Sequence, residues 1–353
     1  VHGLVSPLAL PYPSDPRLAL AHRWVTGTLG HRAFTLAPAS ADASFRRYFR
    51  VTTDGGSMIL MDAPPDKEDS RPFVAIAARL RSAGVSAPEV LAADLARGFL
   101  LLTDLGRTPY LEALAPATRE RLYDDALGAL LVMQTRLRAD DLPEYGEGML
   151  RFELGLFREW YLGRHLGLEL QPAQARALAD VEDRLVASAL AQPRCFVHRD
   201  YHSRNLMVLD AGNPGVIDFQ GAVHGPVTYD LVSLLRDCYV AWPQSYVRET
   251  ALGYRARLAE TGSLADVPED RFLAWLDLMG VQRHLKAAGI FARLHHRDGK
   301  RHYLADIPRT LNYVREVAVR HPELAPLGKL LSALPVTPQA IPSGTGGARR
   351  DAP

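Results

Sequence analysis

Around Gly106 the apolar pattern of this chain changes period, and that change limits the possible folds more than any other feature of the sequence. Before it, the short β-rich segments AFTLA (33–37), FRRYFRV (45–51) and SMILM (57–61) are separated by the turn-like PASADAS and TTDGG. A helix from Pro16 to about Gly30, capped by Ser14 or Asp15, precedes them. RPFVAIAARLRSAG (71–84) reads as a second helix with a glycine stop, and EVLAADLARGFLLLTDL (89–105) as a two-strand hairpin. After Gly106 helical spacing prevails, over roughly 116–138, 149–166, 172–190, 226–240, 244–260, 268–297 and 303–320. Only LMVL (206–209) and GVID (215–218) interrupt it with short strand signals. A β-rich part followed by a helical one predicts an α+β protein with a small lobe over 16–105 and a large lobe over 106–330. A small ligand is expected in the cleft between them. The closing stretch, 331–353, is rich in Pro, Gly, Ser and Ala and is expected to be disordered.

HRDYHSRN (198–205) concentrates the chemistry. Asp200 is followed five positions later by Asn205, then by a strand, a turn and a second strand that ends at Asp218-Phe219-Gln220. Phosphoryl transfer calls for such a set: one carboxylate to take a proton from the attacking hydroxyl, and an amide and a second carboxylate to hold Mg²⁺ against nucleotide phosphates. A β-hairpin from Asn205 to Asp218 would bring the two metal ligands together. The spacing matches a kinase catalytic loop followed by its Asp-Phe metal site. A second HRD, His296-Arg297-Asp298, lacks both companions, because Tyr303 stands where the asparagine should be and no Asp-Phe follows.

Lys and Arg number 41 against 40 Asp and Glu, so nothing in the net charge of +1 argues for a nucleic-acid or anionic-membrane partner. Cys195 and Cys238 have no metal-type spacing and give no disulfide framework, which fits a reducing compartment. The apolar patch near the N-terminus is broken by Pro7, Pro11 and Pro13 and is not read as a signal peptide, and no run is long enough to cross a bilayer.

The motif, together with ASFRRYFRV, ILMDAPPDKED, GFLLLTDLG, GVIDFQGAVHGPVTYDLVSLLRDCYVAWP and QRHLKAAGIFARLHHRDGKRHYLADIPR, resembles the aminoglycoside phosphotransferase and choline kinase branch of the protein-kinase-like fold. Within it the longer stretches are most similar to bacterial anomeric amino-sugar kinases, the N-acetylmuramate/N-acetylglucosamine 1-kinases. The resemblance spans about residues 43 to 309. It implies a two-lobed kinase-like fold, with Asp200 as catalytic base, Asn205 and Asp218 as Mg²⁺ ligands, and Thr103, Asp104 and Leu105 as the hinge that reads adenine through its backbone. It implies ATP and Mg²⁺ as cofactors, an amino-sugar substrate, and a cytoplasmic role in cell-wall recycling linked to a sugar-phosphate nucleotidyltransferase.

The sequence departs from the kinase pattern where phosphates are bound. The turn ASADAS (39–44) has no glycine, SMILMDAPP has no lysine, and helix 71–84 has no glutamate to pair with one. Arg46 and Arg47 are the candidate replacement cations, although strand alternation sends only one of them to the nucleotide. Lys67 is a loop lysine expected in solvent. For the acceptor, His202 could orient the loop or touch the sugar. Arg236, Asp237, Gln282, His284 and Lys286 interrupt apolar helices and are either a sugar-binding face or buried structural pairs. Asp230 stands where a helix cap is expected, and the resemblance implies that it braces the catalytic loop; the two roles are compatible. Two other readings stay open: an aminoglycoside or other small-alcohol phosphotransferase, and a nucleotide-binding regulator without turnover.

Overall fold

A computed structural model describes residues 15–40 and 45–334. Ser14 as a cap, most of the ASADAS turn and 335–353 of the expected tail lie outside these residues. By Cα proximity the chain forms two compact units. The first takes residues up to Arg138 with His198–Asp200 and Arg204–Ala222, and the second takes Ala139–Val197, Tyr201–Ser203 and the chain from Val223 onward.

Helix α1, Pro16–Thr28, starts with proline at its first position, and Asp15 caps it by accepting the Leu18 amide at 2.9 Å. Strands β1 (Thr35–Ser40), β2 (Arg47–Thr53) and β3 (Gly56–Asp62) follow, then α2 (Arg71–Ser82), β4 (Val90–Asp94) and β5 (Phe99–Thr103). They form one antiparallel sheet in the order β1-β2-β3-β5-β4. Its register sets Leu60 opposite both Phe49 and Leu101, so one face carries a column of large apolar side chains across three strands. Leu18, Ala21 and Val25 of α1, at helical spacing, cover that column. Helix α2 buries Phe73, Ile76, Ala77 and Leu80, again a single stripe. Helices α3 (Tyr110–Ala113) and α4 (Arg119–Arg136) follow.

The second unit begins with α5 (Glu147–Leu156), a π-helical segment over Phe157–His165, α6 (Pro172–Leu190) and β6 (Arg194–Val197). The chain then supplies β7 (Leu206–Met207) and β8 (Gly215–Val216) to the first unit as an antiparallel hairpin. It finishes in the second unit with β9 (Val223–Pro226), α7 (Tyr229–Leu235), α8 (Gln244–Glu260), α9 (Glu269–Asp298), α10 (Ile307–Arg320) and α11 (Ala325–Ala333). The 30-residue α9 is the axis of this unit and is buried around most of its circumference. Among the described residues no helix is long and apolar enough to cross a membrane.

The α+β expectation holds, with a five-stranded antiparallel sheet in one unit and a mainly helical second unit. Four details correct the sequence reading. Strands β6 and β9, four residues each and without clean alternation, pair with one another. The helix expected over 226–240 is confined to 229–235, because Asp237 turns the chain by accepting the Tyr239 amide and Tyr313 donates to the carbonyls of Asp237 and Val240. Arg301–Asp306 is a 3₁₀ turn, and α10 starts beside Pro308. Residues 331–333 close α11.

The change from α5 to π geometry coincides with a backbone contact. A β-carbon on Gly289 of α9 would lie 2.4 Å from the Leu156 carbonyl carbon and 2.7 Å from the Phe157 nitrogen. Gly289→Ala would gain about 1 kcal/mol of helix propensity, but the neighbouring atoms are main chain and cannot step aside. We expect a net loss of about 1–3 kcal/mol in urea denaturation; an unchanged midpoint would show that the two backbones have room to separate.

Candidate active site

The catalytic loop and the metal-type aspartate are joined through the main chain of Ile217. Its N–H donates to the Asn205 carbonyl at 3.1 Å, and its carbonyl accepts from His198 Nε2 at 3.1 Å. His198 is fully buried, and its Nδ1 accepts the Asp200 amide at 3.3 Å, which assigns the proton to Nε2. Asn205 then bridges the two acids, since its Nδ2 donates to the Asp200 carbonyl at 2.9 Å and approaches Asp218 Oδ2 at 3.4 Å. Arg199 and Asp218 both have positive φ, 77° and 64°, a conformation that non-glycine residues adopt only when their surroundings hold them there. Phe219 is buried against Phe73 of α2, with ring centroids 4.9 Å apart. The hairpin tip is secured by Asn213, which accepts from Leu209 N and donates to Tyr110 Oη and Asp125 Oδ2.

Arg46 and Arg47 diverge, as alternation requires. Arg46 is 6% exposed, is ion-paired with Glu68, and brings Nη1 to 3.7 Å from Asp218 Oδ1. Arg47 turns the other way, onto Asp15 and Asp62. A cation–glutamate pair beside the metal-type aspartate is therefore present, although neither the strand nor the helix expected to carry it does so. Glu68 lies in the loop before α2, where no sequence pattern marks it. Lys67 is exposed and pairs with Asp66. Gln220 donates to Asp218 Oδ1 at 2.7 Å, a contact the sequence reading did not anticipate.

At the end of β5, Thr103 is bonded to Glu89 through its amide and its hydroxyl. The Asp104 carboxylate accepts from Arg50, Ser57 and the Gly106 amide. Burial would raise its pKa, but these donors outweigh burial and hold it below the usual carboxylate value. Among the described residues nothing bonds the main-chain N–H or C=O of Asp104 or Leu105.

The polar residues of the second unit fall into two groups. Ser203 N donates to Asp237 Oδ2 at 2.9 Å, and His202 packs edge-on against Tyr239, so the loop's middle residues rest on the segment after α7. Arg236 bonds Asp277 at 2.5 Å, and the Arg236 carbonyl accepts from His284 at 2.8 Å. Gln282 and Lys286 belong elsewhere: both reach Glu153, with Lys286 Nζ at 3.0 Å and Tyr145 and Tyr229 completing a buried network. Gln282, His284 and Lys286 are at most 7% exposed. Of the alternatives left open by the sequence, this geometry is that of buried structural pairs. Asp230 is fully buried in the first turn of α7, with Thr228 at the N-cap position.

The model for a phosphotransferase enzyme family matches residues 35–273. The chain belongs to that family. It is 52% identical to an N-acetylmuramate/N-acetylglucosamine kinase of Pseudomonas aeruginosa, over 85% of this chain and 88% of that one. It is 45% identical to the protein of the same name from Neisseria meningitidis, over 88% and 94%. Among solved structures, the choline kinase LicA of Streptococcus pneumoniae matches with a TM-score of 0.60 at 11% identity, covering 86% of this chain and all of that one. A streptomycin–ATP complex of an aminoglycoside phosphotransferase matches with a TM-score of 0.55 at 13% identity, over 87% and 97%. The fold is thus the two-lobed protein-kinase-like fold of this phosphotransferase family.

The donor set fits Mg²⁺. Asn205 Oδ1 accepts nothing from the described residues, and Asp218 Oδ2 faces the Asn205 amide at 3.4 Å. No cluster of three His, Cys, Asp or Glu able to hold a metal occurs among the described residues, and a magnesium ion held largely by phosphates and water needs none.

The buried imidazole of His284 has a consequence for acid stability. Burial, reinforced by Arg283 and Arg236, pushes its pKa down to about 3. Unfolded histidine titrates near ~6.5, so between these values the unfolded chain binds more protons and stability rises with pH. Urea titrations should show stability falling as the solution is acidified below about pH 6.5. His284→Gln should flatten that slope, and an equal slope in the variant would assign the acid sensitivity to other groups.

Proposed function

We propose that the chain is an ATP- and Mg²⁺-dependent kinase that phosphorylates the anomeric hydroxyl of N-acetylmuramate and N-acetylglucosamine to give sugar 1-phosphates. The observation that carries the chemistry is the bridge from Asn205 to both Asp200 and Asp218. The acceptor class is supported by relatives at 45–52% identity across most of both chains that are N-acetylmuramate/N-acetylglucosamine kinases by name.

On this reading residues 16–105 supply the nucleotide-phosphate contacts and 106–330 the catalytic and sugar-binding ones. The open main-chain groups of Asp104 and Leu105 take the adenine edge, with Thr103 fixed by Glu89. Asn205 Oδ1 and Asp218 hold Mg²⁺, which when bound offsets charge on the phosphates. Arg46, kept in place by Glu68, adds a fixed cation for the phosphate chain, while Arg47 stays with Asp15 and Asp62 as a brace for the sheet. Asp200 accepts the proton as the acceptor oxygen attacks phosphorus. An anomeric hydroxyl is more acidic than an ordinary alcohol, so modest base assistance suffices. His202, Asp237 and Arg236 belong to the acceptor side, and Gln282, His284 and Lys286 act on it indirectly, as its buried frame. A cytoplasmic place in cell-wall recycling, ahead of a nucleotidyltransferase that consumes the sugar phosphate, belongs to the same reading. The Arg46–Glu68 pair weighs against a regulator without turnover, whose main support was the missing lysine and glutamate.

Asp200→Asn should lower kcat about 10²–10⁴-fold while nucleotide binding persists, because positioning and charge remain and the base does not. Phosphorus and proton NMR of the product should place phosphate on C1. Near-normal turnover in the variant, or phosphate on another carbon, would overturn the assignment. Arg46→Gln should raise the KM for ATP about ten- to a hundred-fold, as expected for losing a charge-assisted hydrogen bond. An unchanged KM would remove Arg46 from the nucleotide.

A further inference from the structure

The second unit contains a pocket of 460 Å³. One wall is the irregular segment after α7, from Arg236 through Trp242 to Gln244. The other is a single stripe of α10, in which Arg309, Asn312, Tyr313 and Glu316 recur at helical spacing. The walls are tied together where Tyr313 Oη bonds the carbonyls of Asp237 and Val240. The same Asp237 accepts the Ser203 amide, so the pocket wall is also the piece of chain that anchors the catalytic loop, three residues past Asp200.

The charges at this wall are largely committed to one another. Asp277 is shared by Arg236 and Arg320, one carboxylate between two guanidinium groups, with His321 also in contact. The acid of the lining, Glu316, is held by Asn312 Nδ2 at 2.7 Å. Arg309 is 41% exposed and spends only one nitrogen: Nη1 donates to the Cys238 carbonyl at 2.9 Å and to Asp306 at 3.3 Å. Its Nε and Nη2 carry no bond to any described residue. That edge of a guanidinium is the one that grips a carboxylate through two parallel bonds. Trp242, half-buried and meeting Tyr246 edge-on, is an aromatic residue of the same lining. A sugar ring presents both kinds of surface.

We infer that this pocket receives a carboxylate-bearing amino sugar, with Arg309 taking the carboxylate and Trp242 meeting the ring. The inference rests on the sugar-kinase reading and adds to it the residue that separates the two acceptors. N-acetylmuramate carries a lactyl carboxylate and N-acetylglucosamine does not, so only the first engages the open edge of Arg309.

The test is steady-state kinetics of the full chain on both sugars. Arg309→Gln is expected to lower the ratio of kcat/KM for N-acetylmuramate over N-acetylglucosamine about thirty-fold, mainly through the KM for N-acetylmuramate. Arg309→Lys keeps the charge without the fork and should give an intermediate ratio. A ratio within about two-fold of the unmodified enzyme in both variants, whether activity is kept or lost on both sugars alike, overturns the inference while leaving the kinase reading intact. Failure of the unmodified protein to phosphorylate either sugar overturns both.

Discussion

Both main-chain polar groups of one residue, Ile217, are spent on the catalytic loop, and the arrangement around Asp200 depends on that. Its N–H goes to Asn205 and its carbonyl to His198, so the residue immediately before Asp218 cannot shift without breaking two bonds to the loop. His198 passes the constraint on by accepting the Asp200 amide, and Asn205 by donating to the Asp200 carbonyl. Asp200 and Asp218 are thereby held through hydrogen bonds to the main chain of their own segments. The positive φ angles of Arg199 and Asp218 fit this picture, because conformations costing roughly 1–3 kcal/mol persist only where neighbouring bonds over-determine them.

The charge arrangement beside Asp218 answers a different need. A kinase-like centre needs a cation near the phosphates and an anion to hold that cation still. In this chain an arginine at the entrance to β2 and a glutamate in the loop before α2 form such a pair beside Asp218. An arginine can bond Glu68 with one nitrogen and approach Asp218 with another, which the point charge of a lysine would do less well. Arg50 and Arg47, on the same strand, are each committed to other carboxylates, so the three arginines are not interchangeable.

The second unit solves a separate problem, that of burying polar side chains on a helix with almost no solvent-facing side. Lys286 meets Glu153, and Gln282 and two tyrosines take up the remaining bonds. Removing one partner of such a pair leaves a buried charge uncompensated, which typically costs about 3–5 kcal/mol. A buried network of this kind fixes the rotation of α9 within its bundle. It therefore also fixes where Arg236 and the segment after it lie, since His284 on the same helix holds the Arg236 carbonyl.

The sequence by itself determined the fold class and the grouping of Asp200, Asn205 and Asp218. That was possible because the motif is local: a loop and a two-strand hairpin close it within a few turns of chain, and the residues must sit at fixed spacing for the hydrogen bonds to form. It determined most helices as well, wherever apolar residues recur at one spacing over two or more turns. Short strands such as β6 and β9 left no such trace, and neither did the stop of α7 at Leu235, which depends on Tyr313 of a later helix. Only the tertiary structure decided which arginine faces Asp218, that Glu68 pairs with it, and that the polar residues of α9 are consumed internally. These are pairings between distant segments, each chosen by which faces meet when the sheet and the bundle close, and no residue type or local spacing carries that information. Arg309 belongs with them: in the sequence it is one arginine among many, and its open edge exists only because Cys238 and Asp306 hold the opposite nitrogen.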